Sequence, residues 1–298
     1  MAVLPAHLVA TPVLERLAGE RRGVVLGAGA TAAWVDLEGF VVAVTSREVP
    51  LLPNAIALPT AAGTLSRPGV NAGAAARLAP GRVDLGTLTI TWDQTAPPAW
   101  DPTVPVPAAT LAAVARRGAA ILHALGVRPG PRPGDPAALV RGLARVGMAT
   151  AGDPEGAAGL TLLFRAVRGR DPGPVVAAAG ALLGRGPGLT PEGDDLLAGV
   201  AGAVAVLGPA TGLGGAGRER FLAALAPEPG RTTALSATLL ALAAERRLAE
   251  PAGRLLDLGP AGETAWPGAL SRLERLGHGS GRANAAGIAA AAALLAAG

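Results

Sequence analysis

The chain has no cysteine and no tyrosine, and reading its 298 residues shows no lysine either, so that all 26 basic residues are arginine. Each absence removes chemistry. Without a thiol there is no cysteine nucleophile, no disulfide and no Cys-ligated zinc or iron–sulfur cluster. Without an amine there is no Schiff base to a carbonyl or to pyridoxal phosphate, and no Walker-type phosphate loop, which needs its lysine. Aromatic residues are almost missing as well, at four Trp and three Phe. Ala, Leu and Val must therefore fill the core, and few rings are available to stack on nucleic-acid bases. Asp, Glu, Ser, Thr, Arg, three His and the backbone remain for catalysis or binding.

What is present fits an ordered protein of about two domains. Half of the residues are apolar and 16% are charged, with 43 Gly and 27 Pro punctuating the chain. A net charge of +4 is basic. It points to no nucleic acid, because the arginines are scattered and pair only at Arg21-Arg22, Arg116-Arg117 and Arg246-Arg247. Arginine in place of lysine, with abundant Ala, Gly and Pro, is what a GC-rich coding bias produces. The first residues lack a basic segment followed by a long apolar one, and the longest apolar runs, Leu196 to Leu207 and Ala285 to Ala297, fall short of about 18 residues. The expectation is a cytoplasmic protein that engages no membrane.

From about residue 20 to 105, short runs rich in β-formers lie between turn residues: Val24–Leu26, Trp34–Leu37, Phe40–Val44, Ala55–Leu58 and Leu88–Trp92. This is the spacing of an antiparallel sheet or small barrel. Prolines 97, 98, 102, 105 and 107 mark a seam. Beyond it, apolar residues recur every three or four positions over 111–125, 137–146, 157–167, 175–183, 194–207, 218–225, 233–248, 268–276 and 283–297. Strands followed by helices predict an α+β fold, with a β-rich N-terminal domain over 1–105 and an α-helical domain over 106–298. There is no fixed-period repeat.

Three segments of the helical part could carry chemistry. Gly184 to Asp195 reads Gly-Arg-Gly-Pro-Gly-Leu-Thr-Pro-Glu-Gly-Asp-Asp. Thr190 as N-cap and Pro191 as first helical residue would open a helix whose N–H groups face a glycine loop, an anion-binding geometry in which Gly186 and Gly188 permit close backbone approach. Asp194 and Asp195 would repel an anion unless a cation intervened, and suit ligation of Mg²⁺ or pairing with arginine. The same residues equally describe a tight turn and a helix start stabilised by acidic side chains. Gly277-His278-Gly279-Ser280-Gly281 places His278 and Ser280 two apart, either as a base and hydroxyl pair or as a polar helix entry. Arg231-Thr232-Thr233 opens another helix, with Arg231 and Thr232 able to face a ligand and threonine caps as the plainer explanation. His7 and His123 stand in bland surroundings.

Taken together, these segments resemble a bacterial family that includes the AllH subunit of oxamate carbamoyltransferase. The resemblance rests on the Gly-x-Gly-x-Gly-Leu-Thr-Pro-x-Gly-Asp-Asp block at 184–195, the Gly-His-x-Ser-Gly block at 277–281, the Arg-Thr-Thr and Ser236 stretch, and a β-rich region ending near Trp100 to Pro102. It implies transfer of a carbamoyl group between carbamoyl phosphate and the amide nitrogen of oxamate, in an assembly with other carbamoyltransferase subunits, acting on a small anionic metabolite. In that setting Gly186, Gly188 and Thr190 would cradle an anion, Arg231, Thr232 and Ser280 would contact substrate, and Asp194, Asp195 and His278 would be catalytic. The two carboxylates could also hold Mg²⁺; no other cofactor is implied. The alternative is a non-catalytic assembly subunit whose glycines only make close helix contacts. One position departs from the family pattern: Ala283 stands where the family carries Asp, with Asn284 beside it.

Overall fold

The computed structural model describes residues 2–66, 69–128, 134–228 and 230–298. The chain divides into two compact units, Met1–Pro102 and Thr103–Gly298. The class is α+β.

The first unit holds β1 (Ala2–Pro5), β2 (Leu8–Ala10), α1 (Thr11–Arg16), β3 (Arg21–Ala28), β4 (Ala32–Leu37), β5 (Phe40–Thr45), β6 (Ala55–Ala57), β7 (Ala75–Ala79), β8 (Arg82–Leu85), β9 (Leu88–Thr91) and β10 (Ala99–Trp100). All ten strands form one sheet in the order β1-β9-β8-β7-β3-β4-β5-β6-β2-β10. Hairpins dominate it. In β4 the side chains of Ala33, Val35 and Leu37 are buried and alternate with less buried neighbours, the period-2 signature of a strand with one face to the core. The two-residue turn Glu38-Gly39 has positive φ at both positions, 54° and 95°, which matches the twist of the strands it joins. The expected antiparallel sheet is in fact mixed, because β1/β9, β5/β6 and β2/β10 pair in parallel. β7 and β8 escape the sequence pattern because Ala75, Ala76 and Ala79 have weak strand preference. Packing decides there: Leu78, Val83 and Leu85 are buried.

The second unit is helical: α2 (Leu111–Ala124), α3 (Pro136–Arg145), α4 (Ala149–Gly152), α5 (Pro154–Gly169), α6 (Val175–Leu182), α7 (Glu192–Leu207), α8 (Gly215–Ala224), α9 (Ala234–Ala244), α10 (Glu250–Leu256), α11 (Pro260–Glu274) and α12 (Ser280–Ala297). The axis of the unit is α7, buried at every residue from Gly193 to Leu207. A helix apolar on all sides has to be enclosed. It packs chiefly on α12 and α9. Small residues set the closeness of that contact: a methyl group added at Gly199 would overlap the Asn284 carbonyl oxygen, and one at Gly287 the Leu196 carbonyl oxygen. Helix α11 begins at Pro260, earlier than the expected residue 268, and carries Pro267 in its interior. Pro267 is exposed, so the backbone bond it cannot donate is lost on a solvated face. Among the described residues no helix is long and apolar enough to cross a membrane.

Candidate functional site

The segment 184–195 forms a loop followed by the first turn of α7. Gly184, Gly186 and Gly188 all have positive φ, 72°, 117° and 96°, a conformation that side chains resist and glycine accepts. Helix α7 starts one residue later than a Thr190 cap would place it. Pro191 is the N-cap in extended conformation, and its carbonyl accepts from the N–H groups of Asp194 at 3.0 Å and Asp195 at 3.1 Å. The hydroxyl of Thr190 instead lies 2.8 Å from that of Ser280, the first residue of α12. Thr190 is therefore not a cap but a link between two helix starts.

Further bonds fix this loop from several sides. The Gly193 N–H donates to the Arg185 carbonyl at 2.9 Å. Arg185 in turn pairs with Asp153 at 2.6 Å and Glu155 at 2.7 Å. Glu192 accepts from the N–H groups of Ala149 (3.3 Å) and Thr150 (2.6 Å), capping α4. Thr233 caps α9 through the Ser236 N–H at 3.1 Å and donates its hydroxyl hydrogen to the Leu189 carbonyl at 2.6 Å. Between these anchors Gly186, Pro187, Gly188 and Leu189 remain exposed.

The two aspartates, adjacent in sequence, receive opposite environments because successive helical residues point about 100° apart. Asp194 is 2% exposed and fully engaged: one carboxyl oxygen accepts from the Gly184 N–H at 2.8 Å and the other from the Thr232 hydroxyl. It joins the loop, α7 and the entry to α9. Asp195 is 8% exposed, and its Oδ2 has no hydrogen-bond partner among the described residues. Burial pushes its carboxyl up to about 7, a shift reinforced by the charges of Asp194 and Glu192 and opposed by the hydroxyls of Ser280 and Thr190. A carboxyl that gains or loses its proton near neutrality can do acid–base work, which an ordinary surface aspartate cannot.

Thr190, Asp195 and Ser280 are thus brought together, with Asp194 and Thr232 on the adjoining side of α7. The guanidinium of Arg231 donates to the Gly180 carbonyl at 2.6 Å on α6 rather than to either aspartate. His278 is exposed and makes no hydrogen bond or ion pair among the described residues. Among those residues no group of three or more His, Asp or Glu side chains could hold a metal ion. Both oxygens of Asp194 are already occupied, so this donor set does not fit Mg²⁺. Ala283 is fully buried, and the Asn284 side chain donates to the Asp195 carbonyl at 3.4 Å. Sequence reading gave no role to Arg185 and Glu192, whose bonds fix the loop. The hydroxyl of Ser236, named with the Arg-Thr-Thr stretch, is buried without a partner in the first turn of α9.

Residues 182–292, which contain all three glycine segments, match the model of a family described as oxamate carbamoyltransferase subunit AllH. Over this segment the chain is similar to that family. No curated protein and no solved structure matches it. The matched span runs from the end of α6 into α12, so the similarity covers the loop, α7, α9 and the start of α12 that build the Thr190–Asp195–Ser280 cluster.

Proposed function

We propose that this chain supplies a substrate-binding and proton-handling part of a carbamoyltransferase, working with other subunits and taking carbamoyl phosphate or its small carboxylate or amide acceptor at the Thr190–Asp195–Ser280 cluster. In such a reaction the acceptor amide nitrogen bonds to the carbamoyl carbon, the carbamoyl carbon–oxygen bond to phosphate breaks, and a proton leaves the nitrogen. Asp195 is the group suited to accept that proton, since efficient general bases titrate near the working pH. Thr190 and Ser280 orient the reacting group, Thr232 holds Asp194 in place, and Gly186 and Gly188 form the flexible rim on which a ligand's anionic end rests. Arg231 and His278, both exposed beside this rim, would reach substrate only by changing rotamer. The carrying observation is the unpartnered, buried oxygen of Asp195. Most buried polar atoms find a partner, and among the described residues that lack one Asp195 is the one carboxyl, lying beside two hydroxyls in the matched segment.

A second reading has its own support. Glycines 193, 199, 281 and 287 all sit where a methyl group would strike backbone of a neighbouring segment, as a purely architectural subunit would require. The two readings separate in the reconstituted assembly. Asp195→Asn should abolish carbamoyl transfer while the chain stays folded and assembled; full turnover by that variant would leave the architectural reading.

A further inference from the structure

The groups that recognise a phosphoryl dianion are uncommitted arginines and open backbone N–H groups. At this cluster the arginines are engaged, and so are several of the helix-start N–H groups. Arg185 faces Asp153 and Glu155. Arg282 lies 2.9 Å from Glu274 and donates to the Leu125 carbonyl at 2.7 Å. Arg231 donates to the Gly180 carbonyl. One N–H group at each helix start is taken up within the fold: Gly193 by the Arg185 carbonyl, Ser236 by the Thr233 side chain, and Gly281 by the Leu276 carbonyl at 3.0 Å. The nearby acidic groups Asp194, Asp195 and Glu192 would repel a dianion, and the unpaired His278 is exposed. What the cluster offers is an unpartnered carboxyl oxygen, on a residue more than nine-tenths buried, beside the two hydroxyls of Thr190 and Ser280.

An uncharged group presenting N–H donors and a carbonyl acceptor side by side satisfies that set, and a carboxamide is such a group. We propose that the cluster binds the carboxamide of the acceptor, with its NH₂ toward Asp195 and its carbonyl toward the Thr190 and Ser280 hydroxyls, and that the cations for the phosphoryl group of the donor come from another chain of the assembly. This rests on the carbamoyltransfer reading above and sharpens it: of the two substrates, this chain takes the acceptor.

The test is calorimetric titration of the purified full-length chain at pH 7 and constant ionic strength with three probes: oxamate, oxalate (the same frame with carboxylate in place of amide) and inorganic phosphate. Oxamate should bind at least about tenfold more tightly than oxalate, as expected when a polar site built for an amide loses its matched donors. Phosphate at equal concentration should not displace it. Ser280→Ala, a small change on an intermediate-exposure residue, and Asp195→Asn should each weaken oxamate about tenfold or more, with circular dichroism confirming the fold. Phosphate or oxalate binding as well as oxamate would overturn the inference while leaving a substrate site in place. Oxamate binding that neither variant weakens would overturn it too. If none of the three probes binds, the inference and the function reading both fall.

Discussion

The sheet unit and the helical unit treat polar groups differently. In Met1–Pro102 the buried polar residues are Thr45, Ser46, Asn54 and Thr89, and no carboxylate or guanidinium is buried among the described residues. Its charges lie outside, as in the exposed pairs Arg21–Glu38 and Arg77–Glu20. In Thr103–Gly298 a guanidinium and two carboxyls are buried: Arg117, Asp194 and Asp195. Asp194 has both oxygens bonded, while Arg117, whose Nη2 makes no hydrogen bond, lies 3.3 Å from the opposite charge of Glu263. Arg117 donates to the carbonyls of Leu255 and Asp257 at 3.0 and 2.8 Å, and Asp194 has its two partners. Burying a charge is costly unless it is bonded or paired, so the bonded Asp194 and the ion-paired Arg117 are structural parts, and the buried carboxyl with an open oxygen and no counter-charge among the described residues is the informative exception. Asp195 is that exception, and the helical unit is where chemistry should be sought.

The contrast can be broken most directly through pH. Below about pH 4 the Asp195 carboxyl keeps its proton in both the folded and the unfolded chain, and its burial adds no penalty. As pH rises the unfolded chain ionises first, so native stability should fall across the window from the ordinary value of 3.8 up to about 7 and level off above it. A shift of about three units corresponds to roughly 4 kcal/mol. Chemical denaturation from pH 4 to 8 should show this decline in the wild-type chain and a much flatter curve in Asp195→Asn. Equal slopes in the two proteins would mean that Asp195 is not the buried acid it is taken to be.

Next in size is the close contact at the start of α12. A methyl group at residue 281 would overlap the Leu273 carbonyl oxygen at the end of α11. Gly281→Ala should therefore cost about 3 kcal/mol, within the range of severe overpacking, measured by urea denaturation. Loss of less than about 1 kcal/mol would show that the two helix ends can separate cheaply. Asp194→Ala removes two hydrogen bonds to a buried carboxylate and should cost about 2 kcal/mol, while Asp194→Asn, which keeps an acceptor for Gly184, should cost about half that. A matching loss for both would place the importance in charge rather than in bonding.

The sheet unit supplies the smallest effects. Gly39 meets no atom within 4 Å where a side chain would start, but holds φ at 95°. Gly39→Ala should cost about 1 kcal/mol through backbone strain alone, and carbamoyl transfer by the assembly should be unchanged. A drop in turnover from this hairpin change would undo the assignment of chemistry to the helical unit.

The sequence by itself determined the α+β class, the shift from period-2 to helical patterning, most helix positions and the three glycine segments, because hydrophobic periodicity and Gly/Pro placement are local signals. It also excluded thiol and lysine chemistry outright. It did not determine the parallel pairings of β1, β6 and β10, since which strands become neighbours depends on contacts between residues far apart in the chain. Nor could it separate Asp194 from Asp195. The two have the same chemistry and adjacent numbers; only the packing of α7 against α9 on one side and the start of α12 on the other gave one carboxyl two partners and left the other with an empty oxygen in a buried place. That asymmetry arises from a 100° step along a buried helix, and tertiary structure alone fixes what lies in each direction.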